Sequence, residues 1–155
     1  MAEKKAKKWQ WYVLIVIVIF GIGLKLYQRH FSSTKLELKG QEINVLVAKT
    51  IYQQYKGLGG RKDLGEYDGM AFPYYTADKY TFVMRDMKFP IDIVWFDNGV
   101  VVDIAPNVQI EPESSEAQLK RYYSRKPANL VLELSAGWAE KNDLKIGDKI
   151  GLVEE

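Results

Sequence analysis

From Trp11 to Leu24 the chain runs Trp-Tyr-Val-Leu-Ile-Val-Ile-Val-Ile-Phe-Gly-Ile-Gly-Leu, with no charged or strongly polar side chain. Lys4, Lys5, Lys7 and Lys8 stand in front of it. An apolar segment behind a basic N-terminus reads as a membrane signal that exports the rest of the chain. The strict run is short for a span of roughly 20 residues. Extending it from Trp9 to Tyr27 admits only Gln10 and Lys25 and reaches about 28 Å at roughly 1.5 Å per residue. Lys25 stands one turn from the end, where its stem can carry the charge to the headgroups. Trp9, Trp11, Tyr12 and Tyr27 mark the two ends, where aromatic rings favour the interface. A cleaved signal needs a small-x-small site, and Lys25 to Phe31 offers none. The expectation is an uncleaved signal anchor over 9–27. A basic cytoplasmic segment (1–8) precedes it, and a polar stalk (28–34) and an extracytoplasmic domain (35–155) come after it. The expected location is the cell membrane, single-pass, with the N-terminus inside.

The roughly 120 exported residues suffice for one domain with one core. The chain has no cysteine and a single histidine, His30. Disulfides, thiol chemistry, Cys-ligated metals, histidine triads and multi-histidine zinc sites are therefore out of reach. The net charge of +2 is supplied by basic residues near the apolar run. No basic stripe with interleaved aromatics points to nucleic acid. Neither a cofactor nor a metal is expected.

Beyond the stalk, Lys35–Leu38 and Glu42–Val47 alternate around Gly40 and read as a hairpin. Thr50 caps a short helix to Lys56, which Gly57 ends. Gly69–Tyr75 and Tyr80–Met84 read as strands. Ile91–Phe96 and Val100–Ile104 flank Asp97-Asn98-Gly99, and Asn-Gly between apolar runs signals a hairpin. Val108–Lys126 is polar and reads as a long surface excursion. Asn129–Leu134 is a strand, Ser135–Leu144 a capped short helix, and Lys149–Val153 a closing strand. Seven or eight short strands with two short helices predict a mainly β, antiparallel sandwich or barrel-like domain.

One series of segments is more specific. It comprises Lys56-Gly-Leu-Gly-Gly-Arg61-Lys-Asp-Leu64, Asp68-Gly69-Met70-Ala-Phe72, Phe82-Val-Met84-Arg-Asp-Met-Lys-Phe-Pro90-Ile-Asp92-Ile-Val-Trp-Phe96, Asn129-Leu-Val-Leu-Glu-Leu134 and Gly147-Asp148. In order and spacing it resembles domain-of-unknown-function family 192 across about residues 43–150. That family's pattern is roughly RGLMxRxxL, GMLF, FWMxNTxxPLDIxF, VLELxxG and a closing GD. The chain departs from it at Gly59-Gly60, at Val83 and at Arg85-Asp86-Met87. The resemblance implies an extracytoplasmic, mainly β fold and no activity.

Asp92 shares a strand face with Val94 and Phe96, so it reads as a carboxylate at the edge of a core, in need of a partner. Arg61, Arg85 and Lys88 are the cations at hand. Arg61, Met84, Arg85, Asp86 and Asp92 form the candidate ligand-binding set, an acid beside an arginine that clamps an anionic or sugar ligand. The plainer reading is an ion pair stapling the Gly-rich loop to the sheet. Gly57, Gly59 and Gly60 present backbone N–H groups that suit an anion, or simply a tight turn. Met70, Met84 and Met87 suit a soft metal, or core packing. Tyr74, Tyr75, Tyr80, Trp95, Tyr122 and Tyr123 suit a glycan platform, or core and interface roles. The carboxylate pairs Asp86–Asp92 and Asp97–Asp103 are the hydrolytic candidates. The expected function is non-catalytic binding of a small ligand, glycan or envelope protein. The rival is an envelope-polysaccharide hydrolase or transferase using Asp92 with Arg61.

Overall fold

A computed structural model describes residues 8–153, with the side chains of Lys8 and of residues 25–29 outside that description. The basic segment expected over 1–8 thus lies almost wholly outside the described residues. The chain divides into two units, one up to Phe31 and one from Ser32 onward.

The first unit is helix α1 (Lys8–Arg29). Its described side chains, Trp9 to Leu24, are exposed. A helix apolar all round makes no inward-facing stripe of its own. Among the described residues, no helix is long and apolar enough to cross a membrane. The expected anchor over 9–27 runs beyond Leu24 into positions whose side chains are not described.

The second unit contains β1 (Ser32–Leu38), β2 (Gln41–Val47), α2 (Ile51–Lys56), β3 (Gly69–Asp78), β4 (Ile91–Asp97), β5 (Val100–Val108), β6 (Ala128–Ser135), α3 (Trp138–Lys141) and β7 (Ile150–Leu152). β1 begins inside the expected stalk, because Ser32, Ser33 and Thr34 pair with Val47, Leu46 and Val45. Tyr80–Met84 is not a strand. Phe82 makes one isolated bridge to Tyr122, and the ladder stops because both partners lie in loops.

The strands form one sheet in the order β5-β4-β6-β3-β2-β1-β7. The β2–β3 pairing is parallel, the others antiparallel. The sandwich alternative is thereby corrected. A single sheet curls into a half-barrel, and its outer strands are drawn together at one end. Val101 N–H donates to Asp148 O (2.8 Å), Gly147 N–H to Val101 O (2.9 Å) and Ile150 N–H to Gly99 O (2.9 Å). Closure of this kind satisfies edge groups that would otherwise invite another chain.

Both faces of the central strands are covered, so β4 is buried from Ile91 to Phe96 and reads as a continuous apolar run instead of an alternating one. Inside the curl lie Leu36, Leu38, Ile43, Val45, Val94, Phe96, Leu132 and Leu134, with Ala139 and Leu144 closing the end. On the opposite face Phe82 meets Phe72 and Trp95 edge-on, at 5.0 and 6.5 Å between ring centres.

Local signals behave as the sequence predicts. Thr50 and Gln53 form a reciprocal capping box on α2, which satisfies two orphan N–H groups. Asn98 and Gly99 both take positive φ (48° and 77°), the geometry that a two-residue hairpin turn requires.

Candidate functional site

Asp92 lies on the core face of β4 beside Val94 and Phe96, as its spacing predicts, and has no exposed surface. Among the described residues no arginine pairs with it. Its carboxylate accepts from Asn107 N–H (2.7 Å), Gly137 N–H (3.1 Å) and Ala139 N–H (2.8 Å). Gly137 and Ala139 open α3, and Gly137 brings no side-chain cap of its own. Asp92 therefore caps α3 from across the sheet and pins it to β5. Donors to an ionised acceptor are worth more than neutral ones. Fully buried and fully bonded, this carboxylate is part of the frame. That corrects the expectation that it clamps a ligand with Arg61.

The rest of the expected set separates. Met84 is 1% exposed and packs in the second apolar layer, so it is corrected from ligand contact to core. Met70 and Met87 are buried likewise, and among the described residues no cluster of three or more His, Asp or Glu side chains is placed to hold a metal ion. The Gly-rich loop does not cradle an anion. Gly57, Gly59 and Gly60 donate their N–H groups to Gln53, Lys56 and Asp86 carbonyls (2.8, 3.1 and 2.8 Å). Arg61 is half-buried in that turn. Asp86 is exposed, holds a positive φ of 55° and uses its carbonyl to fasten the loop. Asp97 takes a bond from the Asn98 side chain, while Asp103 binds Arg125 (2.7 Å). Asp92, Asp97 and Asp103 thus each already hold a hydrogen-bond partner.

Arg85 is held on three sides. Nε donates to Glu116 Oε2 (2.7 Å) while Nη2 pairs with Glu116 Oε1. Nη1 donates to Tyr55 O (3.0 Å), and the guanidinium sits 4.0 Å above the Tyr55 ring. The carboxylate of Glu116 raises the Arg85 pKa, and Arg85 in turn lowers that of Glu116.

Arg85 lines a cleft of about 170 Å³ together with Tyr55, Lys56, Gly57, Tyr74, Phe82 and Glu133. Glu133 is absent from the candidate set read from the sequence. It lies on β6 opposite Met70 of β3 and Ile93 of β4, on the face turned away from Asp92. The residue is 6% exposed, and its Oε2 has no hydrogen-bond partner among the described residues. Burial pushes its carboxyl pKa up to about 8, so the group is neutral at pH 7, able both to donate and to accept. Above it is Gly57, where a Cβ would come 3.6 Å from the Phe72 ring and 3.8 Å from Glu133 Oε2. A larger side chain there would reach into the space over the acid. Tyr74 stacks on Tyr80, with ring centres 3.5 Å apart. Burial, then Tyr80 and Glu133, raise the Tyr74 pKa and keep its hydroxyl protonated.

The signal for Glu133 was present: one acid between Leu132 and Leu134, the logic applied to Asp92. What the sequence lacked was the second buried face. On a sheet with one solvated face, period-2 alternation makes such a residue an ordinary outward acid.

The domain is a curled seven-stranded sheet with a buried acid, Glu133, under a small cleft. The chain belongs to domain-of-unknown-function family 192 (DUF192, uncharacterized ACR), whose model matches residues 34–152. Two solved structures are similar. A protein of unknown function from Novosphingobium aromaticivorans is 28% identical over 77% of this chain and 84% of that one, with a TM-score of 0.63. A protein from Sinorhizobium meliloti described as a putative transcription regulator is 23% identical over 79% and 95%, with a TM-score of 0.69. The second likeness shows the fold alone. No curated protein matches the chain.

Proposed function

We propose that this chain is a membrane-anchored, non-catalytic binding protein whose β domain takes a small ligand in the cleft over Glu133, outside the cytoplasm. One observation carries the binding half. An unpartnered carboxyl oxygen at the floor of a cleft costs free energy in the empty domain, and a ligand that bonds to it offsets that cost. Catalysis is disfavoured because the other buried acid of the central strands, Asp92, is bonded to three backbone donors. Support for the anchor is the exposed apolar run Trp9–Leu24 behind four lysines. An exposed patch of that kind calls for lipid or a partner.

Two measurements test this. The full chain should stay with membranes after carbonate washing, with its N-terminus intact. A mature N-terminus near residues 31–35 would overturn the anchor. A glycan and metabolite binding screen on the full chain should yield hits that Glu133→Ala abolishes. Hits indifferent to that change would move the site elsewhere.

A further inference from the structure

We propose that the cleft accepts the carboxylate group of a small organic anion, held between Glu133 and Lys56. The proposal rests on the reading of the cleft as a ligand site and narrows it to one chemistry.

Three observations point to this class. The first is the balance of charge around the cavity. Arg85 is already neutralised by Glu116. Lys56 lines the cleft with no ion-pair partner among the described residues, its Nζ lying where a Cβ on Gly60 would come within 3.1 Å. A neutral Glu133 leaves the cleft one positive charge in excess. A cationic ligand would enter against Lys56. An anion completes the set.

The second is the bonding capacity of Glu133. With Oε2 unpartnered and the carboxyl neutral, its O–H can donate to an oxyanion. A carboxyl-to-carboxylate bond is short and strong because one member is charged. The groups facing Glu133 do not compete for the role. Met70, Phe72, Ile93 and Trp95 from the flanking strands are not titratable. Tyr74 stays protonated, Lys56 comes from α2, and Arg85 is spoken for by Glu116.

The third is size. A cavity of roughly 150 Å³ holds a benzene molecule, so about 170 Å³ suits a short carboxylic acid. Phe82 and Tyr74 line the same space and fit the apolar part of such a molecule, while Gly57 keeps the entrance clear.

The test uses three small probes of similar size on the full chain in detergent: propionate, propionamide and propylammonium. Binding is read from amide shifts of Gly57, Leu58 and Thr81. Propionate should bind best, and its affinity should fall about thirty-fold between about pH 6.5 and about pH 9.5 as Glu133 loses its proton. Glu133→Gln keeps a donor and should flatten that fall to below about threefold. Lys56→Gln should weaken propionate and leave propionamide unchanged. Preferential binding of propylammonium, or equal binding of propionamide and propionate, overturns the anion and leaves a ligand cleft standing. So does a pH dependence that survives Glu133→Gln. No response to any probe, with Glu133 still titrating near 8, removes the small-ligand cleft itself.

Discussion

Asp92 and Glu133 are both buried acids of neighbouring central strands, one residue out of step, and therefore on opposite faces of the same sheet. Their surroundings could hardly differ more. Asp92 meets three backbone N–H groups, and Glu133 Oε2 meets none among the described residues. The sheet positions the two acids equally well. What differs is what the neighbouring segments deliver. The turn into α3 brings two free helix N–H groups to Asp92, while Gly57, Gly59 and Gly60 spend their own N–H groups on backbone carbonyls and a cavity is left over Glu133. A buried acid with donors serves as a cap. One without donors is a neutral group waiting for a partner.

The largest effect expected from this contrast is at Asp92. Asp92→Asn removes the charge and turns an N–H group toward N–H donors. Each bond to an ionised acceptor is worth roughly 1.5–3 kcal/mol, so a loss of about 4 kcal/mol in chemical denaturation is expected. A loss below about 1 kcal/mol, the scale of an exposed pair, would break the comparison.

Glu133 should behave in the opposite sense. Its folded pKa, about 8, lies above the ordinary value of 4.5 that serves for the unfolded chain. Between those two values the unfolded chain has released its proton and the folded domain has not. Stability therefore falls as pH rises through that window. Glu133→Gln removes the dependence. The variant should be more stable than the parent by on the order of 3 kcal/mol near pH 7, with the difference vanishing below about pH 4.5. Denaturant midpoints at the two pH values test it, and a constant difference would refute the assignment.

Asp103 supplies the intermediate case and the smallest effect. Burial pushes its carboxyl up, but bonds from the Arg125 side chain and from the Arg125 and Ile104 backbone outweigh that and hold it below the ordinary range. Its contribution to stability is present above the unfolded pKa and is lost as pH falls through the folded one. Arg125→Met should move the Asp103 titration, read by carboxyl NMR, up toward the ordinary value without abolishing the backbone bonds. No movement would mean that the backbone donors alone set it.

The features legible from the residues alone were local and periodic. The Asn98-Gly99 turn, the Thr50–Gln53 cap, the α2 stop at Gly57 and the Asp92 face all rest on interactions within a few residues. The dihedral preferences of those residues act wherever the chain goes. The family pattern likewise set the order of segments. Only packing in three dimensions settled which acid became which. Asp92 and Glu133 both stand in apolar strands, and alternation alone makes Glu133 an outward-facing acid. Yet the donors that satisfy Asp92 come from residues 107, 137 and 139, and the cavity over Glu133 is walled by segments near 57, 74, 82 and 85. A carboxyl's role depends on what surrounds it in space. Desolvation and hydrogen bonding act over a few ångströms and take no account of distance along the chain.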